Sequence, residues 1–560
     1  MIVRNETAVI GELLDAVAPY LSTWVIVDTG SSDGTPRMVG ERMARHGVPG
    51  ELHHRPWRNF GENRSEALQL AQGRGDYIWV IDADDLIVGA PDFTGLTADV
   101  YYLRMVTAGF THWRPQLFRD GLPVRYRGAV HEYADWPEPC AAANLDGDYH
   151  IEARTAGDRS RNPQKYARDA ELLLAEIERD PDDARSVFYL AQTYLDMRDF
   201  ARARTWYARR IEMGGWEGEV FQAMYRLALV MHELREPWPD VQDAYLRAWE
   251  FRPLRAEPLY CIAHAYRSDA RFDLGYLFAR QAAEIAFPGQ ERTWVQADVY
   301  AWRALDEQAV CASQIGNHTE AFGLCRRLIA RPDIPEPDRQ RIAANRDVSV
   351  PAMIDAATAY PRPAGHPAGG DPAAEVTVSV IAGPDRVVVE QTLNSFLHCC
   401  LDVERVGRFL AVEAGLSAED RALLSARYRF LEFIGEAATP HGAGLASVRA
   451  HVGGRYWLHL GRAWRFFAPE NLITRLTAVL EVEPQVFQVA VNFADAATLS
   501  GACAAEEAVR RTAGAGRFVP AAARAAGPAM FDTARFDTAR CELPGRRTAT
   551  LDEVLCIAAN

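Results

Sequence analysis

The stretch "WVIVDTGSSDGTPRMV", residues 24–39, decides the fold class of the first part of the chain. An apolar run ends at Asp28, Gly30 permits a tight turn, and Ser32 or Asp33 can cap a helix that begins near Thr35. This order is typical of an α/β sheet, in which ligands gather beyond the carboxyl ends of the strands. Asp28 is therefore a candidate binding residue, although turns of this kind are often purely structural.

A second strand of the same type ends in a cluster of acids. An amphipathic helix over 62–71 precedes the apolar run 77–81, so we expect a parallel α/β sheet in residues 1–155. The run 77–81 leads into three carboxylates, Asp82, Asp84 and Asp85. Three negative charges at one strand end repel each other, and a hard divalent cation such as Mg²⁺ or Mn²⁺ would remove that repulsion. The alternative is a solvated acidic loop with a helix cap.

The middle of the chain, residues 160–350, is predicted to be helical and repetitive. The sequence "FYLAQTYLDMRDFARARTWYARRI", residues 188–211, places small and aromatic side chains on two consecutive helices at close to the tetratricopeptide spacing. Paired helices of this kind bury their apolar faces only by stacking on a neighbouring pair. We therefore expect an all-α tetratricopeptide-like solenoid, and the alternative is an irregular helical bundle.

Two further segments complete the predicted domain order. Residues 351–375 are dense in Pro, Gly and Ala and are interpreted as a linker. Residues 376–560 begin with the strand-like "VTVSVIAG" and continue through further apolar runs, which predicts a second α/β domain.

Composition limits the functional class. The 560 residues are 48% hydrophobic, carry a formal charge of −15 and contain nine cysteines without a CxxC pair. The charge argues against a nucleic-acid partner, and the cysteines are interpreted as reduced, buried thiols. No apolar run approaches the length of a membrane span, and the residues at Met1 do not resemble a secretory signal. These features predict a cytoplasmic protein without an integral membrane segment.

The motifs "MIVRNE" (1–6), "VDTGSSDGT" (27–35), "PWRNFGENRSEALQLA" (56–71) and "IDADD" (81–85), in this order, resemble family-2 glycosyltransferases of the GT-A fold. The resemblance is strongest to members in which tetratricopeptide helices follow the transferase domain. It implies that Asp28 contacts the base of a nucleotide-diphosphate sugar, usually uridine. It also implies that the DxD motif, Asp82-Ala83-Asp84, contacts the ribose and holds a divalent metal on the pyrophosphate. Asp85 is a further candidate metal ligand because it belongs to the same acidic cluster.

The resemblance also suggests roles for residues outside the acidic cluster. Arg64 would lie near the nucleotide, unless it is only a helix-surface arginine. In "YRGAVHEYADW", residues 126–136, Glu132 is the first choice for the catalytic base and Asp135 the second, and His131 would join the metal shell. The alternative is that His131 and Glu132 form a purely structural pair that packs on a strand.

Two departures from the family pattern stand out. The first strand of the family normally begins several residues before Met1, so either this strand is short or the start lies upstream, and a trimmed strand would weaken the nucleotide pocket. In the last α/β region, Gly461-Arg462-Ala463 stand where related domains carry metal-binding acids, and Glu413-Ala414-Gly415 replace an aspartate-rich turn. An arginine there reverses the local charge, which predicts a degenerate GT-A-like domain kept for structure, acceptor binding or association.

These patterns predict an inverting, metal-dependent glycosyltransferase that moves a sugar from a UDP-type donor to an acceptor positioned by the repeats. The alternative is a non-catalytic repeat scaffold that binds a protein partner and retains only a nucleotide pocket. A sugar nucleotidyltransferase would need a glycine-rich loop after the first strand, which "IVRNETAV" does not provide. The acceptor class stays open between polypeptide, lipid and glycan, and the repeats favour a polypeptide.

Overall fold

The computed structural model describes residues 1–107, 109–154, 164–359, 375–435, 445–493, 499, 501–521, 527–539 and 547–558. The chain forms two compact units. Unit 1 comprises Met1–Asp269 and Leu277–Ala304, and unit 2 comprises Ala270–Tyr276 and Leu305–Asn560. The predicted helical region therefore contributes to both units, and its domain boundaries stay predictions.

Unit 1 contains short strands followed by long helices. Its strands are β1 Ile2–Val3, β2 Trp24–Asp28, β3 Gly50–His54, β4 Tyr77–Trp79, β5 Asp85–Gly89, β6 Val100–Thr107, β7 Phe110–Arg119, β8 Arg125–Arg127, β9 Tyr133–Asp135, β10 Ala142–Asn144, β11 Tyr149–Ala153 and β12 Val295–Gln296. Its helices are α1 Ile10–Val17, α2 Thr35–Arg45, α3 Phe60–Ala71, α4 Lys165–Arg179, α5 Ala184–Asp196, α6 Phe200–Met213, α7 Glu217–Glu233, α8 Trp238–Phe251 and α9 Glu257–Ser268. Helix α10, Phe272–Glu284, includes residues of both units, and a π-helical turn covers Val299–Arg303.

The strands of unit 1 form mixed sheets, so the prediction of one parallel sheet over residues 1–155 is wrong in this respect. Only β1, β2 and β3 form a parallel three-stranded sheet. The second sheet has the order β12-β7-β6-β11-β5, with β10 on β6 and β4 on β7. In this sheet β7 pairs antiparallel with both β4 and β6. The alternation of strands with helices that is typical of a parallel sheet therefore ends after β4.

The first strand is two residues long. It pairs with β2 through Ile2 and Val3 but does not pair with β4. A cavity of about 590 Å³ is lined by residues of β2, including Val25, and by residues of β4, including Tyr77 and Trp79. The short first strand therefore leaves the two sheets without a shared ladder among the described residues.

The first helices of the predicted repeat region share a core with the strand region. Val130, from the loop between β8 and β9, is buried in the same cluster as Phe188 and Tyr207 of α5 and α6. Consecutive helices α4 to α8 each pack on the next one in the chain. Strand β12 then returns from the helical region and pairs antiparallel with β7 at Thr111 and Phe110. The expectation that no strand occurs between 160 and 350 is therefore wrong at β12.

Unit 2 combines helices with a larger sheet. Its helices are α11 Ala304–Gln314, α12 His318–Ile329, α13 Glu336–Val348, α14 Val350–Thr358, α15 Arg386–Cys399, α16 Ala418–Arg427, α17 Leu445–Arg449, α18 Leu472–Val482 and α19 Thr533–Ala539. Its strands are β13 Val376–Ala382, β14 Val406–Glu413, β15 Leu431–Ile434, β16 Tyr456–His459, β17 Trp464–Phe466, β18 Val486–Ala490, β19 Arg510–Thr512, β20 Gly516–Ala521, β21 Ala529–Asp532, β22 Arg547–Leu551 and β23 Cys556–Ala558. The sheet order is β15-β14-β13-β16-β21-β18-β22-β20-β19, and the first four strands are parallel.

The helices before residue 359 pack on this sheet domain. Met353 and Ala357 of α14 lie in the same apolar core as strand β13. Arg326 of α12 forms ion pairs with Glu470 at 2.5 Å and Glu553 at 2.6 Å. The predicted linker over 351–375 is therefore wrong at its start, because α14 has apolar side chains to bury, while residues 360–374 lie outside the described residues. The GT-A-like nature of the last domain stays a prediction.

No helix in the described part of the chain combines the length and the apolar character that a membrane crossing requires.

Candidate active site

A large cavity in unit 1 lies between the strand region and the first helices. It has a volume of about 860 Å³. One side is formed by residues of α3, β7 and the loops after β4 and β8, and the other side by residues of α5, α7 and the segment before β12. We call this space the central cavity. Its lining includes five of the residues that the sequence singled out: Arg64, Asp82, Asp84, His131 and Glu132.

Arg64 and Glu132 contact each other because local sequence signals fix helix α3 against the β8–β9 hairpin. Asn59 caps the N-terminus of helix α3: Glu62 N donates to Asn59 Oδ1 at 2.8 Å, and Asn59 Nδ2 donates to Glu62 Oε1 at 2.7 Å. Ser65 of α3 accepts a hydrogen bond from the backbone N of Tyr126 in β8 at 2.9 Å. The helix is thereby fixed against the β8–β9 hairpin, and Arg64 Nε lies 2.6 Å from Glu132 Oε1.

Two guanidinium groups and two carboxylates form the centre of the site, which we call the arginine–carboxylate cluster: Arg64, Arg114, Asp82 and Glu132. Arg64 forms an ion pair with Asp82, and Arg114 Nη1 lies 2.9 Å from Asp82 Oδ2. Arg114 Nη2 lies 3.9 Å from Glu132. Burial would raise the pKa of Asp82, but the charges of Arg64 and Arg114 lower it well below its ordinary value. The formal charges in this cluster balance.

The two acids that follow Asp82 have different environments. Asp85 is buried, and its Oδ2 accepts a hydrogen bond from the backbone N of Asp82 at 3.1 Å. Burial, followed by the charge of Asp82, raises the pKa of Asp85 to about 7. Asp84 lines the central cavity, and its backbone oxygen accepts a hydrogen bond from Arg154 at 3.0 Å. The strand end therefore directs Asp82 and Asp84, but not Asp85, toward the cavity.

The structure also places the remaining predicted residues. Asp28 is buried but is not among the residues lining the central cavity, and its carboxylate accepts hydrogen bonds from the backbone N of Gly30 and Ser31. His54 lies 3.1 Å from the same carboxylate, and the pKa of Asp28 is lowered because these hydrogen bonds outweigh its burial. In this structure Asp28 stabilises the turn after β2, and its nucleotide role stays a prediction.

Asp135 and His131 are less directly placed for the predicted chemistry. Asp135 is 40% exposed, pairs with Arg127 at 2.5 Å and does not line the central cavity. The His131 ring stacks on Tyr189 of α5, with centroids 4.1 Å apart and planes inclined by 7°. Among the described residues, no three His, Cys, Asp or Glu side chains are gathered so that they could hold a metal ion. The metal site stays a prediction.

Several residues that line the cavity belong to none of the sequence motifs that supplied predicted site residues. Arg114 and His112 lie on β7 two positions apart, so they face the same side of the strand. Period-two alternation in the sequence of β7 could have identified this face, but no motif marks it. From the helical region, Arg185, Tyr189 and Trp294 also line the cavity. Their approach depends on the packing of α5 and on the return of β12, which the local sequence does not encode.

His112 gives the cavity a pH-dependent contribution to stability. Its Nδ1 has no hydrogen-bond partner among the described protein atoms. Burial, and then the charge of Arg114, lower the pKa of His112 to about 4, below the ~6.5 of an exposed histidine. Between these pH values the unfolded chain binds a proton that the folded chain does not bind. The free energy of unfolding therefore falls as the pH is lowered through this range.

We expect the variant His112→Gln to lose this dependence. Between pH 7 and pH 4 the wild-type protein should lose about 3 kcal/mol more stability than the variant. The difference is measured by urea unfolding at a series of pH values, with a signal that reports the unfolding of unit 1. The control His264→Gln changes an exposed histidine of α9 and should retain the wild-type slope. Equal slopes for His112→Gln and the wild type would contradict the prediction.

Comparison with known proteins supports the interpretation of the first part of the chain. Residues 1–89 match the family model "Glycosyl transferase family 2". The predicted resemblance to family-2 glycosyltransferases is confirmed over these residues, which include Arg64, Asp82, Asp84 and Asp85. The match ends before the hairpin that carries Glu132.

Two further comparisons found proteins with tetratricopeptide (TPR) repeats. A TPR repeat-containing protein of Synechococcus elongatus is 28% identical over 329 residues, covering 51% of this chain and 74% of that protein. Solved structures with local similarity include YrrB, described as a TPR protein with an unusual peptide-binding site, at 15% identity and a TM-score of 0.26 over 33% of this chain and 84% of that one. BtubC from P. vanneervenii has 14% identity and a TM-score of 0.28 over 36% of this chain and 86% of that one. Scores this low carry no argument about shared function.

Proposed function

We propose that unit 1 is a glycosyltransferase that moves a sugar from a nucleoside-diphosphate donor, a UDP-sugar, to an acceptor held on the helical side of the central cavity. The observation that carries this proposal is the convergence of Arg64, Arg114, Asp82, Asp84 and Glu132 on one cavity of substrate size. The match of residues 1–89 to the family-2 model supports it independently.

The available ligands fit a divalent cation that is shared with the donor. Magnesium is commonly bound by one or two carboxylates together with substrate phosphates, so a preformed cluster of three protein ligands is not needed. Asp84 and Asp82 line the cavity and provide hard oxygen ligands. A bound Mg²⁺ or Mn²⁺ would stabilise the negative charge that develops on the leaving diphosphate. Asp85 and His131 are less suited as direct ligands, because one is buried against a backbone amide and the other is stacked on Tyr189.

The residues of the arginine–carboxylate cluster would perform the remaining tasks. Arg64 and Arg114 are buried or half-buried guanidinium groups, and their planar forks suit phosphate oxygens. They also hold Asp82 and Glu132 in fixed positions before the donor binds. Glu132 lines the cavity and is the candidate base that removes the proton from the acceptor hydroxyl. Asp135 is less suited to this role, because it lies outside the cavity lining.

A thermal-shift panel tests the proposal. UDP, GDP, ADP and CDP are compared with and without Mn²⁺ on the full chain and on Asp84→Ala. A ligand at 100 times its Kd adds about 2.7 kcal/mol to stability. We expect UDP to raise the Tm of the wild-type protein, Mn²⁺ to enlarge this increase, and Asp84→Ala to lose the Mn²⁺-dependent part.

The control for this panel is Asp92→Ala. Asp92 is exposed and accepts a hydrogen bond from Thr94 N outside the central cavity, so its replacement should leave the nucleotide response unchanged. If no nucleotide produces a metal-dependent shift in the wild-type protein, the alternative of a non-catalytic repeat scaffold replaces the proposal.

A further inference from the structure

The helical side of the central cavity carries an excess of positive charge. This helical wall comprises α4 to α7 and the segment before β12. Its charged lining residues are four cations and one carboxylate: Lys165, Arg185, Arg210, Arg292 and Glu219. The excess is notable because the whole chain has a formal charge of −15. A cationic surface in an acidic protein favours a negatively charged ligand.

Only part of this positive charge is neutralised within the wall. Arg210 and Glu219 are buried and form an ion pair at 2.8 Å, and Arg210 also donates to the backbone oxygen of Gly214 at 2.7 Å. Arg185 also forms an ion pair with Glu219, but its distance of 3.8 Å is longer than a hydrogen bond. Glu219, the carboxylate of the wall that lines the described cavity, therefore interacts more closely with Arg210 than with Arg185.

Arg185 lies close to two tyrosine rings at the boundary of the two sides of the cavity. Its guanidinium carbon lies 4.9 Å from the ring centre of Tyr133 and 4.8 Å from that of Tyr189. Its hydrogen bonds go to neutral oxygens, the backbone oxygen of His131 at 3.2 Å and the hydroxyl of Tyr189 at 3.4 Å. Because these two hydrogen bonds do not use all of its N–H groups, Arg185 can direct others to a carboxylate or a phosphate.

We propose that the helical wall binds an anionic group, a carboxylate or a phosphate, on the acceptor, with Arg185 as the principal contact. This inference rests on the proposed function, because it assigns the wall to the acceptor and the arginine–carboxylate cluster to the donor. The two assignments are compatible because the cluster is neutral as a whole, whereas the wall is positive. Arg292, with its guanidinium 3.9 Å from the ring centre of Tyr102, adds a second stacked cation to the same side.

Three sugars that differ in the group at C6 test this proposal: glucose with a neutral hydroxymethyl group, glucuronate with a carboxylate, and glucose 6-phosphate with a phosphate. Their binding to the full chain is measured by titration calorimetry in the presence of UDP and Mn²⁺, and again without them. Charge-assisted hydrogen bonds strengthen binding by roughly tenfold or more, so at least one anionic sugar should bind about tenfold more tightly than glucose. Comparison of glucuronate with glucose 6-phosphate shows whether the wall prefers a carboxylate or a phosphate.

The variants identify the contact. Arg185→Gln should abolish the preference for anions, and Arg185→Lys should retain part of it because the charge is kept. The matched control is Arg202→Gln, since Arg202 is also stacked on a tyrosine, 5.3 Å from the Tyr194 ring, but is 65% exposed and lies outside the cavity lining. This control should keep the preference. Circular dichroism of each variant excludes a general loss of folding.

Two results would overturn the inference. The first is equal affinity of the wild-type protein for all three sugars, and the second is an unchanged preference in Arg185→Gln. If UDP binding is weaker in that variant while the sugar preference is unchanged, the wall belongs to the donor site. Absence of UDP binding in the wild-type protein, with an Arg185-dependent preference for anions, would instead overturn the proposed function and the acceptor role, leaving an anion site.

Discussion

Turnover of a UDP-sugar is expected to fall by about 10²–10³-fold when Asp84 is replaced by asparagine, because the variant removes a charged ligand from the region where the leaving diphosphate develops charge. Asparagine keeps the size of the side chain and removes only its charge. The measurement is the release of UDP from a panel of UDP-sugars in the presence of Mn²⁺. The fold is expected to persist, because Asp84 is not part of the arginine–carboxylate cluster.

The control for this experiment is Asp92→Asn, which removes one carboxylate outside the central cavity. It should release UDP at the wild-type rate. If Asp84→Asn and the wild-type protein release UDP at the same Mn²⁺-dependent rate, Asp84 has no role in the reaction. The proposal would then depend on Asp82 alone.

Unit 1 should lose about 3–5 kcal/mol of stability when Arg255 is replaced by methionine. Arg255 is 1% exposed, lies 2.7 Å from Glu257 and donates to the backbone oxygen of Trp294 at 2.5 Å. Glu257 is fully buried and also accepts hydrogen bonds from Gln296 N and from the hydroxyl of Tyr300. Removal of the guanidinium leaves a buried carboxylate without its counter-charge, which is the costly way to break an ion pair.

The matched control is Arg247→Met. Arg247 pairs with Asp243 at 2.7 Å on the surface of α8, and its side chain is 69% exposed, so its loss should change stability by at most about 0.5 kcal/mol. Urea unfolding gives the difference, and hydrogen exchange of residues 291–300 localises it. Similar losses in the two variants would show that burial of Arg255 and Glu257 does not decide the strength of their interaction.

The sequence indicated which residues lie close to the central cavity better than it indicated the contacts among them. The order of the motifs around Arg64 and Asp82 predicted that these residues lie near one ligand, and the structure joins them in an ion pair. The sequence also predicted a base near residue 132, and Glu132 lines the same cavity. Each of these motifs lies within a short segment, where local sequence controls local geometry. The roles of the residues stay predictions.

Contacts between distant elements explain the parts that sequence analysis did not predict. Arg114 meets Asp82 because β4 pairs antiparallel with β7, and neither strand carries a signal of that pairing. Arg185 meets the loop after β8 because α5 shares a core with Val130. The parallel sheet was wrong for a related reason, since alternating apolar runs indicate strands but not their direction. Long-range pairing is therefore the information that was missing.

The return of β12 to β7 limits how the chain can be divided or recombined. A fragment that stops near residue 155 would expose the β7 edge at Phe110 and Thr111 and would lack the hydrogen bond from Trp113 Nε1 to Gly289. Such a fragment would be prone to edge-to-edge aggregation. Exchange of the helices for those of a relative would have to include residues 287–296 as well, so the strand region and the helices up to β12 have to be engineered together.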